Sequence, residues 1–303
     1  MQENNKQRKI FYFINPISGT RGKESLQKRI ASATAELNIP FEILPTSASG
    51  DYQSVIPRIM NEQVTDVVIC GGDGSVNQLV DALAGTGVRF GIIPMGSGNG
   101  LALAAGIPKN PEKALQIIFN GKERATDAFR VNDQFACMLC GLGFDAQVAH
   151  EFAQQSKRGL ATYASLSTRN FISARPHLFH VEANGIRFSS EAFLVSIANS
   201  NQFGNHFTIA PKALLSAGLL DIVLVKRTAK PLLVINVIKQ VLAGRLQKIE
   251  NSLNSPVIYF QTKELKIENP EDAPLHIDGE PCSTARHFNI SILPNHFRLI
   301  YGK

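Results

Sequence analysis

Three glycine-rich segments in the first hundred residues have the composition of phosphate-binding turns. They are residues 15–23 (NPISGTRGK), 71–77 (GGDGSVN) and 94–100 (PMGSGNG), called here the first, second and third glycine loops. Glycine lets the backbone approach an anion closely, its amide donates a hydrogen bond, and a following helix adds a positive dipole end. One such loop is usually only a tight turn, but three after successive apolar runs predict phosphate binding.

Asp73 lies inside the second glycine loop. A carboxylate in a phosphate-binding turn repels the ligand unless a cation lies between them, and Mg²⁺ would supply that cation. The alternative is that Asp73 caps the helix that follows, a role that Ser75 could also fill. Because Ser75 is available as a cap, we expect Asp73 to bind a metal ion together with the phosphates.

The common nucleotide-binding motifs do not fit these loops. Lys23 follows Gly22, but no glycine stands five positions before Gly22, so a Walker A loop is absent. Dinucleotide-binding spacing and protein-kinase signatures are absent as well. Any phosphate site here therefore follows a less common scheme.

The elements around the loops alternate between short apolar runs and helix-like segments, which predicts a doubly wound α/β domain with a mainly parallel sheet. The predicted strands cover residues 10–14, 41–44, 67–70 and 90–93, and the predicted helices cover 24–37, 52–61, 76–84, 101–105 and 112–119. In such a sheet all three glycine loops lie at the carboxyl edge, where ligands bind.

The rest of the chain consists mainly of short strands separated by turn dipeptides such as Asn132-Asp133 and Asn184-Gly185, which predicts an antiparallel β domain. The predicted strands include 219–225, 257–261, 264–268, 275–278, 288–293 and 297–301, and helical stretches interrupt them at 146–172 and 231–246. We place the domains at 1–127 and 128–303, with a last strand that can pack back on the first domain. We expect a ligand site in a cleft between them.

Composition indicates a folded chain without a membrane span. Of 303 residues, 44% are hydrophobic, and 31 basic against 25 acidic residues give a net charge of +6. This excess favours anionic partners without selecting among them. Cys137 and Cys140 form the one C-x-x-C pair, but they lie in an apolar run and are expected to be buried thiols. The polar start predicts a cytoplasmic protein with at most peripheral membrane contact.

Seven segments in order resemble the diacylglycerol kinase catalytic-domain family, which also contains sphingosine and ceramide kinases and small bacterial lipid kinases. The resemblance covers nearly the whole chain. The segments are NPISG (15–19), TSASGD (46–51), GGDGSVNQLVDAL (71–83), PMGSGNGLA (94–102), GLGFDAQV (141–148), IAPKALLSAGLLDIVLV (209–225) and HIDGEP (276–281).

The resemblance implies an NAD-kinase-like α/β domain, a β-sandwich domain, and ATP and Mg²⁺ as cofactors. Asp73 would organise the phosphates and Mg²⁺, Glu280 would accept the proton of the lipid hydroxyl, and Asp278 would be a supporting carboxylate. The residues expected to bind ATP are Asn15, Ser18, Thr46, Gly71, Gly72, Gly74, Ser75, Asn77 and Ser97. Without the other motifs, Asp278-Gly279-Glu280 is typical of a surface hairpin.

The chain departs from the family pattern at two places. Many bacterial members have an acidic residue before a glycine in a segment that binds a structural metal, but Ala217 stands there, which argues against that metal. Backbone carbonyls near Leu214 and Leu219 could still contribute, and Asp221 is close in sequence. The second departure is residues 97–100 (SGNG), which are closer to the loop of sphingosine kinases.

Asp145 has two interpretations. It falls where sphingosine kinases carry an aspartate that meets the amino headgroup of the lipid, and it could equally cap the helix predicted from Ala146. A basic, amphipathic stretch over 154–175 could rest on an anionic membrane, although an ordinary half-buried helix has the same pattern.

The leading hypothesis is an ATP- and Mg²⁺-dependent kinase that phosphorylates diacylglycerol at a membrane surface. The alternatives are a sphingoid-base kinase, an NAD kinase that shares the GGDG turn, and a nucleotide-binding lipid sensor without turnover. PMGSGN and the late DGE turn argue against NAD kinase, and Ala217 is the one feature that favours a sensor. No nucleic-acid partner is expected, and a homodimer is compatible with the sequence.

Overall fold

The computed structural model describes residues 7–16, 23–155, 165–166, 169–170, 173–202, 210–227, 246 and 249–302. The chain divides into two compact units. Unit 1 comprises Met1–Thr126 with Asn295–Lys303, and unit 2 comprises Asp127–Pro294. Most of the predicted helix 231–246 and of the amphipathic stretch 154–175 lies outside the described residues. Among the helices that are described, none is long and apolar enough to cross a membrane.

The described strands are β1 Ile10–Ile14, β2 Phe41–Pro45, β3 Asp66–Gly71, β4 Arg89–Pro94, β5 Lys122–Val131, β6 Gln134–Ala136, β7 Leu139–Gly143, β8 His177–Ala183, β9 Ile186–Ala198, β10 Leu220–Lys226, β11 Val257–Thr262, β12 Glu264–Glu268, β13 Leu275–Ile277, β14 Glu280–Cys282 and β15 His287–Tyr301. The helices are α1 Lys23–Glu36, α2 Val55–Asn61, α3 Asp73–Leu83, α4 Gly100–Ala104, α5 Pro111–Asn120, α6 Phe144–Ala153 and α7 Ile249–Ser252. A short 3₁₀ turn covers Ala84–Thr86.

Unit 1 is a parallel sheet in the order β2-β1-β3-β4, followed by the end of β15 beside β4. Every residue of β1 and β3 is buried, as expected for strands covered on both faces. The strand order reverses between β1 and β3, because β2 lies on one side of β1 and β3 on the other. Such a reversal is the point at which open α/β sheets bind ligands.

The helices of unit 1 begin and pack as their residues dictate. In α3, the buried residues Val76, Leu79, Val80 and Leu83 recur at helical spacing and form one apolar face. Helix α5 begins after Asn110, whose side chain accepts a hydrogen bond from the Lys113 amide, and it has proline at its first position.

Unit 2 is an antiparallel sheet in the order β14-β13-β7-β9-β8-β12, followed by the start of β15. Strand β9 also pairs with β10, which pairs with β11. The Asn184-Gly185 turn between β8 and β9 is present, with positive φ at both residues, as a two-residue hairpin requires. Alternate residues such as Val195, Ile197 and Phe260 form the core on one face.

Two sequence expectations need correction. The two strands predicted at 288–293 and 297–301 are one strand, β15, which continues through Pro294 and Asn295. Asn295 has a φ of 52°, so the turn-like residues bend the strand without ending it. Helix α2 begins at Val55 instead of residue 52.

Candidate functional site

The carboxyl ends of β1 to β4 bring four predicted segments to one edge of the unit 1 sheet. Asn15 follows β1, Thr46 follows β2, the second glycine loop follows β3 and the third follows β4. The backbone continues the sheet into this edge, since the Asn15 amide donates to the Cys70 carbonyl at 3.0 Å and the Thr46 amide to the Ile14 carbonyl at 3.1 Å. The edge contains the strand-order reversal between β1 and β3.

Ser75 is tied to the end of β1 and does not cap α3. The Asn15 side-chain amide donates to Ser75 Oγ at 2.9 Å, and Ser75 is buried. The N-cap is Gly72, which has no side-chain hydrogen bond to offer, and Asp73 is the first residue inside the helix. The amide groups at the start of α3 have no acceptor within the helix, so with its dipole this end is suited to an anion.

The second and third glycine loops touch through their backbones. A Cβ atom on Gly96 would lie 2.6 Å from the Cα atom of Gly72, a separation that real Cβ atoms essentially never show. A Cβ atom on Gly98 would lie 2.9 Å from Asp73 Oδ2. These glycines therefore allow a contact between loops, and the Asp73 carboxylate reaches toward the third loop.

Asn99 organises the third loop, and the sequence analysis did not single it out. It has a left-handed backbone, with φ 58°, and it is 2% exposed. Its Oδ1 accepts from the Gly96 amide at 2.8 Å, and its Nδ2 donates to the Gly96 carbonyl at 2.6 Å. Lys109 Nζ donates to the Ser97 carbonyl at 3.2 Å. The asparagine between two glycines was the signal available in the sequence.

The remaining predicted nucleotide ligands differ in exposure. Thr46, Gly72, Gly74 and Asn77 are half-buried at this edge, Gly71 is buried and Ser97 is exposed. Ser18 lies outside the described residues.

In unit 2, the predicted DGE segment forms the hairpin between β13 and β14. Asp278 and Gly279 have φ values of 49° and 84°, the pattern of a type I′ turn. Glu280 is the first residue of β14, pairs with Ile277 and is exposed. Its carboxylate is thus presented next to a tight turn.

Asp278, which the family resemblance implies as a supporting carboxylate, is buried at this turn. It is 4% exposed, and its Oδ1 accepts from the Met138 and Leu139 amides, both at 2.9 Å. Its Oδ2 accepts from the Cys137 amide at 2.9 Å. The carboxylate therefore anchors the hairpin to residues 137–139.

Asp145 is buried and faces a histidine. It is 6% exposed, its Oδ1 accepts from the Ala146 amide at 2.9 Å, and its Oδ2 lies 3.4 Å from Nε2 of His276, which is 1% exposed. Helix α6 begins at Phe144 with Gly143 as its N-cap, so Asp145 lies in the first turn and not at the cap position. The sequence analysis did not single out His276.

Residues 214–221, where many bacterial family members bind a structural metal, are held by hydrogen bonds within the protein. The Ala217 amide donates to the Leu214 carbonyl at 3.2 Å, and the Gly218 amide donates to Asp127 Oδ2 at 2.6 Å. Asp221 is fully buried and accepts from the Tyr259 hydroxyl at 2.6 Å and from Gln261 Nε2 at 3.0 Å. Burial raises the pKa of the Asp221 carboxyl group.

Near Leu214 and Leu219, both carboxylates that could serve a metal, Asp127 and Asp221, accept hydrogen bonds from protein groups. A hard cation needs several oxygen ligands, and the Asp221 oxygens are already bound by neutral donors. In the part of the chain that the structure describes, no group of three or more His, Cys, Asp and Glu residues could hold a metal ion.

Comparison with known proteins identifies the family. The model of the diacylglycerol kinase catalytic domain matches residues 9–131, and that of the YegS C-terminal NAD kinase beta sandwich-like domain matches residues 139–301. The chain belongs to the YegS-like lipid kinase family. This confirms the predicted family and fold class, an α/β part with a parallel sheet followed by an antiparallel β part.

Relatives of this chain align with it over most of its length. A protein of Enterobacter sp. (strain 638) named "Probable lipid kinase YegS-like" is 30% identical over 285 residues, covering 90% of this chain and 91% of that protein. One of the same name from Serratia proteamaculans (strain 568) is 29% identical over 282 residues, covering 90% and 88%. The crystal structure of a diacylglycerol kinase from Bacillus anthracis str. Sterne has a TM-score of 0.73 at 22% identity, covering 98% of both chains, and shows the shared fold.

Proposed function

We propose that this lipid kinase transfers the γ-phosphate of ATP to a lipid hydroxyl in a Mg²⁺-dependent reaction, and that the lipid is diacylglycerol. The observation that carries the proposal is the edge of unit 1 where the glycine loops and the start of α3 meet. Backbone amides, a positive helix end and close backbone contact together suit a polyphosphate.

ATP is assigned to this edge. The second glycine loop, Gly71 to Asn77, offers the amides at the start of α3 to the phosphates, while Asn15 fixes Ser75 beneath them. Thr46 and Ser97 lie at the ends of the neighbouring strands. Ser18 completes the set by its place in the family motif.

Mg²⁺ fits the residues present. This ion is usually bound by one or two carboxylates together with substrate phosphates and water, and Asp73 offers a half-buried carboxylate at the start of α3. When bound, the ion supplies charge neutralisation for the transferring phosphoryl group. Asp73 would hold it on the phosphate side of the second loop.

Glu280 is proposed as the general base. Its exposed carboxylate takes the proton from the lipid hydroxyl while the hydroxyl oxygen bonds to the γ-phosphorus and the bond from that phosphorus to ADP breaks. Asp278 holds the turn that carries Glu280 through three backbone amides. The proposal therefore replaces a catalytic role for Asp278 with a positioning role.

The burial and contacts of Asp145 favour a neutral lipid over a sphingoid base as the substrate. An aspartate that binds an amino headgroup must present its carboxylate to the ligand, whereas this one is buried against His276 and the Ala146 amide. A sphingoid-base kinase remains the second candidate, because residues 97–100 are similar to the loop of sphingosine kinases.

The test is transfer of labelled phosphate from ATP with Mg²⁺ to diacylglycerol, sphinganine or NAD, each assayed separately in mixed micelles. Glu280→Gln should lower transfer by about 100-fold or more while ATP binding is retained. Glu264→Gln, at an exposed glutamate of β12 in the same unit, is the matched control and should keep full activity.

Each outcome assigns a function. Transfer to diacylglycerol that requires Glu280 supports the proposal, and transfer to sphinganine alone supports the second candidate. Transfer to NAD without lipid contradicts the lipid substrate. ATP binding without any transfer indicates a sensor.

A further inference from the structure

His276 lies beneath the Glu280 turn and has a partner at each ring nitrogen. The Gly279 amide donates to Nδ1 at 3.3 Å, and Nε2 lies 3.4 Å from Asp145 Oδ2. Because Nδ1 accepts a hydrogen bond, a neutral ring carries its proton on Nε2 and donates it to Asp145. The buried ring therefore joins α6 to the residue just before Glu280.

The neighbouring strand leaves space for this pair. Gly141 of β7 lies directly opposite His276 in the sheet. A Cβ atom on Gly141 would lie 2.5 Å from His276 Nε2 and would also overlap Asp145 Oδ2. Glycine is thus the residue that lets the histidine and the aspartate meet above β7.

Asp145 is itself fixed on the other side. Its second oxygen accepts from the Ala146 amide in the first turn of α6, where the helix dipole favours a negative charge. Helix α6 packs against β7, β13 and β14. A continuous series of hydrogen bonds therefore runs from α6 through Asp145 and His276 to Gly279.

The turn is held from two directions. Asp278 is anchored by the amides of residues 137–139, and Gly279 is anchored by His276. Asp278 has a positive φ, which is unfavourable for a residue with a side chain and persists where surrounding contacts enforce it. Glu280, next in the chain, remains exposed.

We propose that His276 is a positioning residue for Glu280: oriented by Asp145, its unprotonated Nδ1 accepts the Gly279 amide and holds the turn so that the Glu280 carboxylate is fixed in place. This inference rests on the proposed function, because it takes Glu280 as the base. Loss of the contact displaces a reacting group, and such displacements reduce the rate of the chemical step more than substrate binding.

Three substitutions of His276 separate its two contacts. In His276→Asn, Oδ1 occupies the position of Nδ1 and can accept the Gly279 amide, but the contact with Asp145 is lost. In His276→Gln, the longer amide can donate to Asp145, but it offers no acceptor at the Nδ1 position. His276→Phe keeps a ring and has neither contact. His287→Asn, at an exposed histidine of β15 in the same unit, is the control.

Two readouts distinguish positioning from a general structural role. We expect kcat for the lipid to fall by about 10-fold in the Gln and Phe variants, with KM for ATP unchanged, and to recover most of that loss in the Asn variant. Hydrogen exchange at the Gly279 amide should be slow in the wild-type protein and in the His276→Asn variant. It should be fast in the His276→Gln and His276→Phe variants. Gly141→Ala, which displaces the pair without altering either side chain, should lower kcat as well.

The inference is overturned if His276→Gln keeps wild-type kcat and slow Gly279 exchange, or if the Asn and Phe variants behave alike in both readouts. Thermal unfolding of each variant identifies any loss that comes from misfolding, and Gly141→Ala then provides the independent test. Failure of the proposed function looks different, because the wild-type chain itself would transfer no phosphate to any lipid.

Discussion

The Cα atom of Gly72 lies 2.6 Å from the place that a Cβ atom on Gly96 would occupy. A Gly96→Ala substitution must therefore separate the second and third glycine loops. We expect ATP binding to weaken by about 10-fold or more and the free energy of unfolding to fall by about 1–3 kcal/mol. Titration with a fluorescent ATP analogue and thermal denaturation measure both.

Gly85→Ala is the control for that substitution, because no atom outside the local backbone lies within 4 Å of the new Cβ position. It should leave both ATP binding and stability near the wild-type values. Equal ATP affinity in the two variants would contradict the role assigned to the loop contact.

A second prediction concerns the effect of Asn99 in the third glycine loop on stability. Asn99→Ala removes both hydrogen bonds to Gly96 and places alanine in a left-handed backbone, which should lower the free energy of unfolding by about 2–3 kcal/mol. Asn99→Gly tolerates the backbone and removes only the hydrogen bonds, so it should lose less. The order is checked by chemical denaturation, and a glycine variant less stable than alanine would contradict it.

Substitution of Asp278 should mainly lower stability, whereas substitution of Glu280 should mainly lower activity. Asp278→Ala leaves three buried amides without their acceptor, so we expect a loss of about 3 kcal/mol in the free energy of unfolding. Glu280→Gln changes an exposed side chain and should alter stability by less than about 0.5 kcal/mol while abolishing transfer. Urea denaturation of the two variants, beside the transfer assay, tests this division. An unstable Glu280→Gln protein would contradict it.

The cysteines lead to a prediction about reactivity and pH. Cys137 and Cys140 are buried, as the sequence indicated, Cys70 is buried as well, and Cys282 is half-buried. Burial raises the pKa of the Cys70, Cys140 and Cys282 thiols, because it disfavours the charged thiolate that alkylating reagents attack. Near neutral pH, native protein should therefore react slowly and at Cys282 alone, and faster as pH rises, whereas urea-unfolded protein should react at all four.

Mass spectrometry after timed alkylation locates the modified residues. Cys282→Ser should show almost no labelling in the native state. Rapid labelling of Cys70 in native protein would contradict the burial described here.

Much of the fold could be predicted from local residue patterns. Strand β1 was predicted with its observed bounds because an apolar run is followed at once by Asn-Pro, and the Asn184-Gly185 turn because two-residue hairpins require such residues. Strand β15 was predicted as two strands, since Pro294-Asn295 has the composition of a turn. The sequence allowed a last strand that packs back on the first domain, but its partner there, β4, lies far earlier in the chain, and no local pattern identifies that partner.

The candidate site divides in the same way. The glycine loops could be recognised because each contains its own signal within a few residues. The hydrogen bonds of the Asp278 carboxylate could not be predicted, since its partners Cys137 to Leu139 are about 140 positions earlier in the chain. The contact between His276 of β13 and Asp145 of α6 likewise depends on the absence of a side chain at Gly141, which belongs to β7.

The path of β15 has a consequence for synthesis on the ribosome. Residues Arg298 and Leu299 pair with β4, and Phe297 packs edge-to-face on Phe90, so the sheet of unit 1 obtains its last strand from residues made after all of unit 2. Until those residues emerge, β4 has an unpaired edge, and exposed edges invite association with other chains. Unit 1 is therefore synthesised first but completed last. Its completion requires β15 to pair with β4, and contacts between residues so far apart in sequence form slowly.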